Sequence, residues 1–171
     1  MNELKSDATI ILGIDPGLIT TGYGILKQSG GKLELLEAGV IRSNAKDELE
    51  QRLQSLFVGA VEIVESFRPD VMAIEELYSH YERPSTAILM GHARGVLCLA
   101  AAQHNVPIRH YRATQIKSVM TGNGRAPKSQ VQLAVMNHLH LASVPDPPDV
   151  ADALAIGICH YFQSRNEILR R

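Results

Sequence analysis

Four acidic residues of this 171-residue chain occupy positions that favour chemistry over simple solvation. Asp15 ends an apolar run just before a Pro-Gly turn, and Glu75 ends a second, wholly apolar run. Carboxylates directly after apolar strands lie at the edge where open α/β sheets place their sites. Asp149 and Asp152 are three residues apart on the last predicted helix, so they share one of its faces.

Together these carboxylates predict a site for hard cations. Mg²⁺ prefers oxygen ligands and keeps several waters, so a few carboxylates suffice when a phosphate supplies the rest. Two such ions about 4 Å apart can activate a water and stabilise the leaving oxygen of a phosphodiester. Taken singly, two of the acids have simpler explanations: Asp149 is also a favourable helix-start anion, and Asp15 is also an ordinary turn residue.

Hydrophobic periodicity and turn residues predict ten elements that would position these acids. Strands are expected at 9–15, 20–27, 32–41, 71–74 and 106–111, and helices at 46–67, 84–104, 113–121, 127–139 and from 148 onward. This order predicts an α/β fold with a five-stranded mixed sheet flanked by helices on both faces. A Pro-rich linker, Val144–Pro148, precedes the last helix, but no second domain is evident, so residues 1–171 are expected to form one domain with a core at 9–164 and short flexible termini.

Five motifs occur in order along nearly the whole chain, from Ile11 to His160. They are Gly13–Gly17 with Thr21–Gly24, Ala73–Glu76, Ala93–Val96, Lys128–Val131 and Asp149–Ala155. In this order and spacing they resemble the RuvC family of crossover-junction endodeoxyribonucleases, the bacterial Holliday-junction resolvases of the RNase H-like superfamily. The first motif alone is not specific, but five motifs in order are.

The resemblance implies both a catalytic site and an assembly. Asp15, Glu75, Asp149 and Asp152 would be the catalytic metal ligands, with two Mg²⁺ ions per subunit for which Mn²⁺ can substitute. A homodimer would nick two strands of like polarity at a four-way DNA junction, leaving 5′-phosphate and 3′-hydroxyl ends, in homologous recombination and DNA repair. The family works beside the branch-migration motor proteins of the Ruv system, which are therefore expected partners.

The expected DNA-binding residues are Lys117, Lys128, Tyr78, Arg83 and Arg125. The two lysines match family positions that contact DNA near the active site, and Tyr78 matches a family aromatic, usually Phe, that engages a base near the crossover. An aromatic face contributes about 1–3 kcal/mol per stacked base. Two departures leave local roles open: Glu76 stands where some relatives carry Gln, and the segment Tyr78–Pro84 differs from relatives.

The net charge of the whole chain hides an uneven distribution. Lys and Arg number 17 and Asp and Glu 18, a formal net charge of −1 that by itself argues against a nucleic-acid partner. Residues 83–144, however, carry seven Lys or Arg and no acid, whereas residues 1–82 carry seven bases and fourteen acids. Residues 83–144, the acid-free segment, are expected to track DNA phosphates; the alternative is that their cations are scattered over the surface.

Other features exclude several classes of protein. The first residues lack an apolar signal region, and no run approaches 18 apolar residues, so a cytoplasmic protein outside the membrane is expected. Cys98 and Cys159 are expected to be free thiols in a reducing compartment. Gly122–Ser129 resembles a phosphate loop only superficially, because Pro127 rather than Gly precedes Lys128.

Three other functions remain as alternatives. An RNase H-like nuclease that processes structured RNA would share the fold, an actin-like ATPase lobe would share the opening strand and hairpin, and a non-catalytic junction-binding protein would share the basic segment. An actin-like ATPase needs two lobes, whereas 171 residues are enough for a single lobe. A purely binding protein does not need four acids, since acids repel DNA unless a metal is bound.

Overall fold

The computed structural model describes residues 8–77 and 84–169. Within them, five strands and five helices follow one another in the predicted order. The strands are β1 (Thr9–Asp15), β2 (Thr20–Ser29), β3 (Lys32–Arg42), β4 (Val71–Glu75) and β5 (Ile108–Tyr111), and the helices are α1 (Leu49–Phe67), α2 (Pro84–Gln103), α3 (Ala113–Thr121), α4 (Lys128–His138) and α5 (Pro148–Leu169). The predicted α/β class is confirmed.

The five strands form one mixed sheet in the order β3-β2-β1-β4-β5. β2 pairs antiparallel with both β1 and β3, and its turn to β3 uses Gly30 and Gly31, both with positive φ. β4 lies parallel to β1 on one side and to β5 on the other. Because parallel strands end at the same edge, the last residues Asp15, Glu75 and Tyr111 meet there, and we call this the site edge.

Helices cover both sides of the sheet, as the sequence predicts. Successive strand residues face opposite sides. Ile11 and Leu26 belong to the core beneath α3, α4 and α5, whereas Leu12 and Ile25 belong to the core beneath α1 and α2. Asp15 continues the alternation of Ile11, so its side chain is directed to the α5 side.

Helix α5 crosses the middle of the sheet closely because glycines clear its path. A Cβ at Gly13 would lie 2.2 Å from the carbonyl oxygen of Ala153, and a Cβ at Gly22 would lie 2.0 Å from that of Asp149. Any side chain at these two positions would push the helix away. The glycines of β1 and β2 therefore set the distance between α5 and the sheet near the site edge.

Helix α2 is apolar but only partly buried. By length and composition alone, Ser85–Gln103 is apolar enough to cross a membrane, although one such helix is a weak indication of a span. The stretch contains His92 and Arg94, so it is not the unbroken run of 18 apolar residues whose absence the sequence indicates. Ala93 and Leu97 are fully buried against the sheet and α1, while Ile88 and Leu99 are 61% and 50% exposed.

Four of the exposed residues of α2 form a stripe along the helix. Ile88, His92, Gly95 and Leu99 recur at intervals of four, three and four residues, the spacing of one helical face. We call these four residues the α2 stripe. A Cβ built at Gly95 would meet no atom within 4 Å, so nothing in the described part of this chain requires a glycine there.

Candidate active site

Two of the predicted acids end neighbouring strands at the site edge. Asp15 is the last residue of β1 and Glu75 the last of β4, and these parallel strands pair in register up to Ile14 and Ile74. Both acids continue the alternating positions that face α5. The pairing of β1 with β4 therefore places the carboxyl groups of Asp15 and Glu75 next to each other at the site edge.

The first turns of α5 bring the other two acids to this place. Gly22 of β2 lies opposite Asp15, and its missing side chain leaves room for the carbonyl oxygen of Asp149. Asp149 is thus held directly over the paired strands, and Asp152 follows on the same face of α5. The four predicted acids are brought together at one edge of the sheet.

The pKa values show how strongly these carboxyl groups interact. The pKa of Asp15 is raised to about 8, first by burial and then by the charges of Asp152, Glu75 and Asp149. Burial is also the main cause of the raised pKa of Glu75, followed by the charge of Asp152. Burial likewise raises the pKa of Asp152, and a hydrogen bond from Lys128 opposes it. When ionised, these neighbouring carboxyl groups repel one another, so the cluster favours the approach of cations.

Two lysines of the acid-free segment supply part of the compensating charge. Nζ of Lys128 lies 2.5 Å from Oδ2 of Asp152, and the charges of Lys117 and Lys128 both lower the pKa of Glu75. All four side chains line one recess of about 260 Å³. Lys117 lies in α3 and Lys128 begins α4, so both helices beside α5 present a cation to the acids. The side chain of Lys128 is 58% exposed and accessible to a ligand from solvent.

A buried threonine that the sequence reasoning missed holds the turn after Asp15. The hydroxyl of Thr21 donates to the carbonyl oxygen of Gly17 at 2.7 Å and accepts from the Gly17 amide at 3.1 Å. Thr21 is completely buried. Such side-chain bonds compete with regular backbone pairing and stabilise turns, so Thr21 directs the chain away from Asp15. In the sequence, Thr21 stands only as the first residue of the motif Thr21–Gly24, and two threonines at the start of β2 are equally explained by strand propensity.

The additional acid Glu76 has its own partner. Its carboxylate accepts a hydrogen bond from Nε of Arg112 at 3.3 Å, and its amide donates to the carbonyl oxygen of Tyr111 at 2.8 Å. Glu76 thus extends the pairing of β4 with β5, and a neighbouring cation balances its charge.

The remaining predicted DNA-binding residues fall in different places. Arg125 is exposed in the turn between α3 and α4, where its amide donates to the side chain of Asn123. It does not line the recess of the two lysines. Tyr78 and Arg83 lie outside the described residues. Of the predicted DNA surface, the described structure therefore contains Lys117, Lys128 and Arg125.

The donor set suits a hard divalent cation. Within residues 8–77 and 84–169, no three acidic, histidine or cysteine side chains form a ready cage for an ion. Mg²⁺ does not require one, because it is usually bound by one or two carboxylates and completes its shell with waters and substrate phosphates. The interacting carboxyl groups around Asp15 meet that requirement.

Comparison with known proteins decides the family. The model of the family described as crossover junction endodeoxyribonuclease RuvC matches residues 11–160. The chain belongs to the RuvC family. The crossover junction endodeoxyribonuclease RuvC of Rhodopirellula baltica is 58% identical to this chain over 161 residues, which cover 94% of the chain and 90% of that relative.

Solved structures of RuvC share the fold of this chain. Thermus thermophilus RuvC in complex with a Holliday junction substrate is 30% identical, with 92% of this chain and 96% of that chain covered and a TM-score of 0.84. The yeast mitochondrial resolvase Ydc2, 13% identical with 95% and 83% covered, has a TM-score of 0.68 and shows the fold alone. The resemblance and the enzyme class, a crossover junction endodeoxyribonuclease, are confirmed. RuvC membership also favours this class over the RNA-processing and ATPase alternatives.

Proposed function

We propose that this RuvC-family chain resolves four-way DNA junctions by metal-dependent hydrolysis at Asp15, Glu75, Asp149 and Asp152. The observation that carries the proposal is the meeting of these four carboxyl groups, from β1, β4 and α5, in and beside a recess that two lysines also line. The pKa values of Asp15, Glu75 and Asp152 are raised by burial, and carboxyl groups perturbed in this way cluster at functional sites. A purely structural role would be met more simply by neutral side chains.

We assign two Mg²⁺ ions per subunit to these carboxylates, with Mn²⁺ able to substitute. Asp15 and the two acids of α5 would hold one ion, and Asp15 with Glu75 would hold the other. Divalent ions in such a site lower the pKa of a water and stabilise charge on the departing oxygen. The central position of Asp15 supports this division, because the other three acids all act on its pKa.

The proposed reaction is hydrolysis of one phosphodiester bond in each nicked strand. The oxygen of water bonds to phosphorus, the bond from phosphorus to the 3′ oxygen breaks, and the ends are a 5′-phosphate and a 3′-hydroxyl. The water loses its proton to a carboxylate or to solvent, and the 3′ oxygen gains one from solvent. Lys117 and Lys128 are placed to donate to phosphate oxygens in the recess, which sets the position of the strand without selecting its sequence.

We also propose that the chain forms a homodimer through the α2 stripe. Glycine inside a helix lowers stability by about 1 kcal/mol relative to alanine, yet Gly95 faces open space. A second copy packing along this face would use the small residue for close approach and would cover Ile88 and Leu99. A two-fold dimer presents two equivalent sites, which matches a junction with two strands of like polarity.

The proposed substrate also sets the location of the chain. A junction in chromosomal DNA places a bacterial enzyme in the cytoplasm, and a dimer through α2 explains the apolar composition of that helix without a membrane. Branch-migration motor proteins are proposed partners from the family resemblance, and no described residue is assigned to that contact.

Substituting Asp15 tests the proposed mechanism. Asp15→Asn keeps the volume and removes the central charge, so it is expected to lower Mg²⁺-dependent cleavage of a synthetic four-way junction by more than about 100-fold. Loss of even an outer group around a metal lowers activity about 10–100-fold. Cleavage is followed on labelled junctions, and binding is followed by gel shift without metal, where Asp15→Asn should bind as well as the unchanged protein.

Two controls accompany this experiment. Asp47→Asn makes the matched change in the loop before α1 and should cleave normally. A linear duplex of the same sequence should not be cut. Cleavage by Asp15→Asn would contradict the mechanism, and equal cleavage of the linear duplex would contradict the junction specificity.

A further inference from the structure

Arg94 of α2 reaches the ends of two strands at the site edge. Its Nε donates to the carbonyl oxygen of Glu75 at 3.0 Å, and its Nη2 donates to Nδ1 of His110 at 2.5 Å. Glu75 ends β4, and His110 lies in β5 opposite Ile74. One guanidinium group therefore joins α2 to both strands at the point where Glu75 leaves the sheet.

The contact with His110 requires a neutral imidazole. Guanidinium has only donors, so Nδ1 of His110 must offer its lone pair. Burial and the positive charge of Arg94 both lower the pKa of His110, while the charge of Glu76 opposes them. The neutral form that accepts from Arg94 is thus the form that this environment favours.

The last residue of β4, Glu75, is paired on one side only. Pairing of β4 with β1 stops at Ile14 and Ile74, one residue before Glu75. In the described sheet Glu75 pairs only across to Tyr111 of β5. The hydrogen bond from Arg94 adds a second anchor to the residue whose carboxyl group enters the acidic cluster, where a misplacement of about 1 Å can lower a rate about 100-fold.

Arg94 acts on the main chain of Glu75 rather than on the charge of its carboxyl group. The cations that lower the pKa of this carboxyl group are Lys117 and Lys128. The charge of Arg94 lowers the pKa of His110 instead. The strand end is therefore flanked by two kinds of cation: the lysines face the acids, and Arg94 holds the backbone from the α2 side.

We propose that Arg94 is a positioning residue for DNA cleavage, which orients Glu75 by holding the end of β4 against α2. The inference rests on the proposed role of Glu75 as a metal ligand. The proposal gives α2 a role at the site in addition to its role in the proposed dimer. In the sequence, Arg94 stands between His92 and Gly95, two residues of the α2 stripe. A shift of α2, for example on dimer formation, would reach the acidic cluster through this hydrogen bond.

The test compares Arg94→Met and Arg94→Lys with Arg68→Met. Methionine keeps the unbranched stem as far as the position of Nε and removes the donors, whereas lysine retains a donor for the carbonyl oxygen but cannot bridge to His110. Arg68 is exposed at the end of α1, so its substitution changes the net charge equally away from the site edge. Four quantities are measured: amide hydrogen exchange without metal, Mn²⁺ affinity by calorimetry without DNA, and kcat and KM on a four-way junction.

Arg94→Met is expected to change hydrogen exchange, Mn²⁺ affinity and kcat. Exchange should rise at the amide of Glu76, which donates to Tyr111 in the unchanged protein. Mn²⁺ affinity and kcat should fall about 10–100-fold with little change in KM, the range typical of groups that orient a metal ligand. Arg94→Lys should retain more Mn²⁺ affinity and a higher kcat than Arg94→Met. Arg68→Met should match the unchanged protein.

The outcomes separate this inference from the proposed function. A folded Arg94→Met protein with normal exchange, Mn²⁺ affinity and kcat overturns the positioning role. If Arg94→Met does not fold, Arg94→Gln, whose side chain is too short to bridge both strands, is measured in its place, and normal exchange, Mn²⁺ affinity and kcat in that variant overturn the positioning role equally. Cleavage retained by Glu75→Gln refutes the ligand role itself, whereas cleavage lost by Glu75→Gln but kept by Arg94→Met refutes only the inference about Arg94.

Discussion

At the scale of single residues, burial and like charge act in the same direction on the acidic cluster. Burial is the largest cause of the raised pKa at Asp15, Glu75 and Asp152. Lys128 lowers the pKa of each of these acids but does not reverse any of the shifts. The lysines therefore do not fully compensate the carboxyl groups, and divalent cations can supply the remaining positive charge.

The raised pKa of Asp15 predicts how the stability of the metal-free protein depends on pH. Its pKa of about 8 in the folded state lies above the ordinary value of 3.8, so the folded state binds this proton more tightly than the unfolded state. The resulting stability is fully present below the ordinary pKa and is lost as the pH rises toward 8. Glu75 and Asp152, with raised pKa values, act with the same sign.

The free energy of unfolding without metal should therefore fall between about pH 5 and pH 8, and fall less in Asp15→Asn, which cannot ionise. Denaturant titrations in a chelator at several pH values measure this difference. Asp47→Asn should follow the unchanged protein. Parallel pH profiles for the unchanged protein and Asp15→Asn would show that Asp15 is not the group responsible.

At the scale of elements, glycines decide how closely α5 lies on the sheet. Gly13 and Gly22 occupy neighbouring strands, and Gly157 of α5 has its own missing Cβ directed 2.8 Å from Cδ1 of Leu26. The backbone of α5 therefore packs directly against the backbones of β1 and β2. The acids at the start of α5 lie beside Asp15 only because this contact has no side chains in it.

Gly22→Ala is expected to disturb this contact and the site together. The added methyl group would lie 2.0 Å from the carbonyl oxygen of Asp149, and such overpacking typically lowers the free energy of unfolding by about 1–3 kcal/mol. Cleavage should fall as well, because Asp149 moves away from Asp15. Denaturant unfolding and junction cleavage measure the two effects.

Gly91→Ala provides the matched control for Gly22→Ala. Its nearest neighbour would be Cδ1 of Leu77 at 3.9 Å, an ordinary contact. Stability should be unchanged or slightly higher, since alanine favours a helix more than glycine does. Normal stability and cleavage in Gly22→Ala would show that close backbone contact does not position Asp149.

At the scale of the whole molecule, acidic and basic residues are separated along the chain and meet in the fold. The acid-free segment supplies Lys117 and Lys128 through α3 and α4, while β1 and β4 supply acids from the acidic first half. The formal net charge of −1 therefore does not describe the surface that DNA would meet. What matters is the local pattern of cations around the carboxyl groups.

The proposed dimer predicts that Gly95→Arg yields a monomer. Arginine there would place a long charged side chain on the α2 stripe, while nothing within 4 Å inside the chain opposes it. Light scattering during size exclusion measures the mass, and circular dichroism checks the fold. Val58→Arg, at an exposed apolar residue of α1, is the control and should remain dimeric. A dimeric Gly95→Arg protein, or a monomeric unchanged protein, would contradict an α2 interface.

Local patterns along the sequence predict the order of the elements, the class of the sheet, the four candidate acids and the family. Apolar periodicity, turn residues such as Gly30 and Gly31, and motif order are local or ordered along the chain, so they can be read without knowing what lies across the sheet. Boundaries were less well predicted, since β5 begins at Ile108 rather than Val106. The partial exposure of α2 was not predicted, because burial of a helix depends on its neighbours.

Only the tertiary structure decided which partner each site residue meets. Thr21 holds the turn after Asp15, Lys128 pairs with Asp152, and Arg94 binds the carbonyl oxygen of Glu75 across 19 positions of sequence. These contacts follow from how closely helices approach the sheet, which glycines such as Gly22 control at ångström scale. Residue types and spacing indicate which chemistry is available; side-chain packing between distant segments decides which groups are held close enough to perform it.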